Sequence, residues 1–156
     1  MSFRNRDFYN AGFIAEDDNN PTTLFVSIQG KRGSPIGNGF RVYRLEGATT
    51  GIFAERGTLS ITDITIHSEA TRISRPGPLV IAPDGNLWLT QQQDSRNSVE
   101  AGLFVMANPA SDTSFTDVTT NDYRNSAISP IGIDVSSNGH IYIAQNGGGL
   151  VKLSLP

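Results

Sequence analysis

Pro78-Leu79-Val80-Ile81-Ala82-Pro83-Asp84-Gly85-Asn86-Leu87-Trp88-Leu89-Thr90 and Pro130-Ile131-Gly132-Ile133-Asp134-Val135-Ser136-Ser137-Asn138-Gly139-His140-Ile141-Tyr142-Ile143-Ala144 follow one grammar. Each starts at a proline, runs through a short apolar segment, turns on Gly beside Asn or Asp, and resumes as aliphatic, aromatic, aliphatic. Gly, Asn and Asp tolerate the positive φ of tight hairpin turns, so each stretch reads as two antiparallel strands. A looser copy lies upstream: Gly12-Phe13-Ile14-Ala15, the polar turn Glu16-Asp17-Asp18-Asn19-Asn20-Pro21, then Leu24-Phe25-Val26-Ser27-Ile28-Gln29. The second strands begin at Leu24, Leu87 and Ile141, which are 63 and 54 residues apart. Self-similarity at such spacings marks a repeat architecture.

Each copy continues with a run led by glycine: Gly39 to Leu45, Gly102 to Met106 and Gly149 to Leu153. Fourth strands fit Leu59 to Ile66, read as one alternating half-buried strand, and Ser114 to Thr119. No segment shows helical periodicity. Four short antiparallel strands joined by turns make one propeller blade. The expected fold class is therefore all-β, with blade 1 over about residues 11–67, blade 2 over about 77–120 and blade 3 over about 129–156. The inner two strands of each copy are the most apolar, as they must be if neighbouring blades cover both faces.

The 156 residues are 37% hydrophobic and 17% charged, a balance opposite to that of a disordered chain. A net charge of −3 argues against a nucleic-acid partner, which normally requires a basic face. The absence of Cys excludes thiol catalysis, disulfides and Cys-ligated zinc. No apolar run reaches membrane-spanning length, and the start lacks the apolar core of a secretory signal, so no membrane partner is expected. The expected state is a soluble protein, cytoplasmic by default, with an extracellular location left open.

The two quoted stretches resemble the blades of NHL-type, virginiamycin B lyase-like and SMP-30-like propellers, and the likeness extends loosely over residues 11–156. It implies the fold and not one activity, since such propellers include enzymes, lectin-like binders and protein scaffolds. Members usually carry six or so blades, and this chain has three. Closed propellers span about four to eight blades, so a three-blade arc leaves two blade faces bare. The expectation is a homodimer closing a six-bladed ring head-to-tail, with residues 1–10 (Ser2 to Tyr9 above all) supplying the outer strand that blade 3 lacks. The other reading is a piece of a longer protein.

Long loops on a rigid scaffold are where binding usually resides. Gly30 to Asn38 and Gln93 to Ala101 are the long ones, sharing one face with the segments that enter the inner strands. The candidate ligand-binding residues there are Gln29, Lys31, Arg32, Gln91, Gln92, Arg96, Gln145 and Asn146. Amides donate and accept hydrogen bonds, which suits sugar hydroxyls or peptide groups, and the basic residues suit an anionic ligand. The expected function is non-enzymatic recognition of a glycan or protein ligand. The alternative implied by the resemblance is a lyase or lactonase-type hydrolase, with Asp134 the weak candidate to hold a divalent metal. No cofactor is otherwise expected. Trp88, at the position of Phe25 and Tyr142, is expected to pack between blades rather than to stack on a ligand. Asp17-Asp18-Asn19-Asn20 lacks the spacing of a calcium loop and reads as a hairpin turn.

Overall fold

The computed structural model describes residues 11–28, 41–47, 60–67, 71–95, 98–126 and 129–154. Sheet 1 holds β1 (Ala11–Glu16), β2 (Thr23–Ile28), β3 (Arg41–Glu46) and β4 (Ser60–Asp63), antiparallel in that order. A small hairpin follows, β5 (Ile66–His67) with β6 (Thr71–Arg72). Sheet 2 contains β7 (Pro76–Ile81), β8 (Leu87–Gln91), β9 (Gly102–Met106) and β10 (Ser114–Asp117). A short helix, α1 (Asn121–Ser126), leads into sheet 3: β11 (Pro130–Val135), β12 (His140–Gln145) and β13 (Leu150–Ser154). The fold is all-β and blade-like, with β1 to β4, β7 to β10 and β11 to β13 each laid side by side in chain order. Among the described residues no helix is long and apolar enough to cross a membrane.

Local chemistry sets the hairpins. Gly85 N–H donates to the Ala82 carbonyl (2.8 Å), and Gly139 N–H donates to the Ser136 carbonyl (2.9 Å). Both glycines sit at positive φ, 85° and 79°, where a side chain would strain the backbone. The register sharpens the repeat. Pro76 pairs with Gln91 as Pro130 pairs with Gln145, and Leu79 pairs with Leu89 as Ile133 pairs with Ile143. The copies thus align without a gap from Pro76 and Pro130, not from Pro78 and Pro130. Irregularities between Pro76 and Leu79 and between Pro130 and Gly132 hide this in the sequence. The counterpart of Asp134 is therefore Val80.

Alternation then decides the packing. Leu87 and Leu89 point from β8 toward sheet 1, into a cluster with Ala15, Phe25, Val42 and Phe104. Trp88 points the other way, into a second cluster with Leu103, Tyr123, Ile141 and Ile143. The inner strands lie side by side, β1 against β7 and β7 against β11. Polar pins cross the first joint. Ser27 Oγ donates to the Gly77 carbonyl (2.8 Å), and buried Arg44 Nη1 donates to the carbonyls of Pro109 and Asp112 (both 3.0 Å) in the β9–β10 turn. A Cβ on Gly77 would fall 2.6 Å from Thr90 Oγ1, so glycine is what lets the chain pass there.

Three features depart from the sequence reading. The Leu59 to Ile66 strand is broken: β4 ends at Asp63, and β5 leaves sheet 1 to pair in parallel with β10. Alternation slips there, because Thr62 and Asp63 are consecutive polar residues. The Asp63 carboxylate accepts from the Thr65 N–H (3.0 Å) and hydroxyl, while Thr65 Oγ1 accepts from the Val42 N–H (3.0 Å). The same clasp recurs at Asp117, Thr119 and the Leu103 N–H. Sheet 2 consequently has six strands, because β5 covers the edge of β10 that would otherwise present unpaired backbone. Finally, α1 exists. Thr120 caps it, its Oγ1 accepting from the Tyr123 N–H (3.2 Å). Six residues are too few for a helical period to register in the sequence.

The joint between sheets 1 and 2 carries a direct test. Leu89 is fully buried in it. Leu89→Ala is expected to lower unfolding stability by about 2–5 kcal/mol in urea titrations.

Candidate functional site

Two connections converge at one end of sheets 2 and 3: the β8–β9 loop and the segment running through α1 into β11. Gln92 Nε2 donates to the Pro130 carbonyl (3.3 Å), and Arg124 Nη1 meets Glu100 Oε2 at 2.8 Å. The β8–β9 loop is stiffened across its neck by reciprocal backbone bonds between Asp94 and Val99 (2.8 and 3.0 Å), and Arg75 Nη1 holds the Asp94 carboxylate at 3.0 Å. Between the two connections opens a cleft of about 380 Å³, lined by Gln93, Glu100, Ala101, Asn121 and Arg124.

The cleft lies on the loop face expected to carry binding, but its lining differs from the sequence candidates. Gln91 is spent inside the fold: its Oε1 accepts from the Ser74 N–H (2.8 Å) and its Nε2 donates to the Glu100 carbonyl (3.0 Å). Gln145 repeats the first of these bonds on the Ser129 N–H (2.9 Å). Both amides fasten the entry of an inner strand to the end of the second strand. Gln92 braces β11 from the side of the cleft. Asn146 holds the Ser129 carbonyl through its backbone N–H (2.8 Å), and its residue is exposed. Gln29, Lys31, Arg32 and Arg96 lie outside the described residues, as does the segment 1–10.

Gln93 and Glu100 fall within the long loop that the sequence singles out. Asn121 and Arg124 do not, because their helix leaves no sequence period. The one available signal was Thr120 ahead of Asp122, a capping residue followed by an acidic first turn.

The other chemistry-bearing residues are accounted for structurally. Asp134 stands on the outward face of sheet 3, in register with Tyr142, which in turn pairs with Lys152. Among the described residues, no three His, Asp or Glu side chains gather as a metal-binding group. Asp17 is buried, and its carboxylate accepts from the Asn19 N–H (3.0 Å), which makes it a turn residue. Trp88 is buried between sheets 2 and 3, as its position predicts. His140 lies 3.3 Å from Ser154 Oγ through Nδ1 and edge-on to the Tyr142 ring.

Tyr123, also fully buried in that joint, has no partner for its hydroxyl, and burial pushes its pKa well above the usual value near 10. No protein-family model matches the chain, and no curated protein matches it. What the site can do therefore rests on its own geometry: hydrogen-bonding amides and one exposed ion pair at the rim of a small cleft.

Two outcomes are expected. Gln91→Ala, which loses both bonds, should cost about 1–3 kcal/mol in urea titrations, while exposed Asn146→Ala stays within about 0.5 kcal/mol of wild type. Tyr123 binds its proton more tightly folded than unfolded, so its contribution is fully present below pH about 10 and is lost as pH rises beyond it. Tyr123→Phe, which removes an unpartnered hydroxyl, should be at least as stable as wild type at neutral pH. Its thermal midpoint should fall less steeply than that of wild type above pH 10.

Proposed function

We propose that the chain is a non-enzymatic binding scaffold. On this reading the loop end of a β-propeller built from these sheets recognises a glycan or a protein segment. The observation that carries it is the cleft between the β8–β9 loop and α1, with the amides of Gln93 and Asn121 and the Arg124–Glu100 pair at its surface. Exposed ion pairs add little stability, about 0–1 kcal/mol, so this pair can give its donors and acceptors to a ligand at small cost to the fold. The guanidinium offers a planar set of donors for carboxylate, sulfate or carbonyl oxygens, while the amides suit hydroxyls and peptide groups. The lyase or lactonase alternative gains no support from Asp134, which stands on β11, the inner edge strand of sheet 3, in register with Tyr142, and does not line this cleft.

A glycan array and a peptide array, each probed with wild type and with the triple variant Gln93→Ala, Asn121→Ala, Arg124→Ala, test the proposal. The expected result is a hit on one of them that falls at least tenfold in the variant, with circular dichroism unchanged. Wild type and variant giving the same profile on both arrays would overturn it.

A further inference from the structure

Several polar devices recur from sheet to sheet. Gln91 and Gln145 fasten the strand entries, and the Asp63–Thr65 and Asp117–Thr119 clasps end the outer strands. The ion pair between Arg124 and Glu100 follows no such repeat. The corresponding β12–β13 loop, Asn146 to Gly149, is shorter and carries no carboxylate. The pair therefore belongs to the cleft and not to the shared plan of the sheets.

Its two members stand differently. Glu100 is fixed at its backbone: its carbonyl accepts from Gln91 Nε2 (3.0 Å), and the residues on either side, Val99 and Ala101, are buried. What can move is its side chain, which is 68% exposed. Arg124 is less exposed, at 45%, and is carried by α1, whose Tyr123 is fully buried between sheets 2 and 3. Turning the carboxylate outward returns it to water, while the guanidinium stays at the cleft wall. The nearby Asp94 carboxylate does not take its place, being held at 3.0 Å by Arg75. The other polar lining residues, Gln93 and Asn121, are neutral amides.

We propose that the Glu100 carboxylate occupies the place of a carboxylate on the ligand, so that the cleft takes acidic ligands by exchange at Arg124. The inference rests on the binding-scaffold reading and names its ligand class. Opening an exposed ion pair costs little. A guanidinium takes a carboxylate through two parallel N–H···O bonds, and the two amides are left for hydroxyl or peptide groups beside it. At about 380 Å³ the cleft lies at the small end of ligand sites, with room for one uronic acid ring or one acidic side chain and its peptide groups.

The experiment uses two isosteric pairs of small probes: methyl glucuronide with methyl glucoside, and N-acetylglutamic acid amide with N-acetylglutamine amide. Each is titrated at fixed ionic strength into the nitrogen-15-labelled intact chain, as wild type, Glu100→Gln and Arg124→Gln, and followed by amide chemical shifts. Both substituted side chains are exposed, so each variant should keep the wild-type circular dichroism spectrum. One acid should shift Gln93, Glu100, Asn121 and Arg124 and bind wild type about tenfold tighter than its neutral partner. The glucuronide would mark an acidic glycan as the source of the carboxylate, the glutamyl probe an acidic peptide. Glu100→Gln removes the internal competitor and should tighten acid binding about two- to fivefold. Arg124→Gln should weaken it about tenfold. The opposite signs separate exchange from a merely structural ion pair, whose loss would weaken binding in both variants. Neutral probes binding as tightly as acids, or Glu100→Gln weakening the acids, would overturn this inference and leave the binding-scaffold reading standing. Cleft residues that shift with no probe would also overturn it, and the two arrays then decide the scaffold reading separately.

Discussion

Leu87 and Leu89 leave β8 on one side and Trp88 leaves it on the other, and both sides must find an apolar neighbour. A strand that is hydrophobic on both faces belongs in the interior of a layered structure. This constraint organises the molecule: sheet 2 is fully covered only because sheets 1 and 3 sit against it. The polar pins, Ser27 on Gly77 and Arg44 on the β9–β10 turn, fix the spacing of a joint whose driving force is burial. The Gln91 and Gln145 amides then tie each inner strand's entry to its own sheet, which positions the loops that frame the cleft.

The same constraint explains the edges. β10 would leave a row of open backbone groups at the outer edge of sheet 2, and β5 closes it by parallel pairing before the chain returns to the inside as β7. The Asp63–Thr65 and Asp117–Thr119 clasps end the outer strands by giving the third strand's N–H a side-chain acceptor. The turns act within a few residues, the clasps and fastening amides join residues 16 to 23 apart within one sheet, and the order between sheets comes from which face each sheet offers the next.

Those differences in range decide how much could be read in advance. The hairpins at Gly85 and Gly139 were legible because their chemistry lies within five residues. The aromatic position of Trp88 was legible because alternation alone assigns its face. The 54-residue offset between the second and third copies was legible from Leu87 and Ile141, but the start of β7 was not: the irregularity after Pro76 makes Pro78 read as the first residue of the repeat. The Asp-x-Thr clasp was present in the sequence at a 54-residue spacing, but its meaning depends on a third-strand N–H brought close only by folding. The fate of Gln91 was hidden for the same reason: an amide near a loop reads as a ligand contact until its backbone partners are in place. Arg124 was invisible because a six-residue helix has no period to detect.

Trp88 is the chain's only tryptophan, and it lies in one joint, between sheets 2 and 3. Its emission is therefore a built-in optical probe of that joint. Loosening of sheet 3 exposes the indole to water and shifts the spectrum to the red. Opening of the joint between sheets 1 and 2 leaves the indole in place. The two internal joints can thus be followed separately, tryptophan fluorescence against whole-chain circular dichroism, without adding a label.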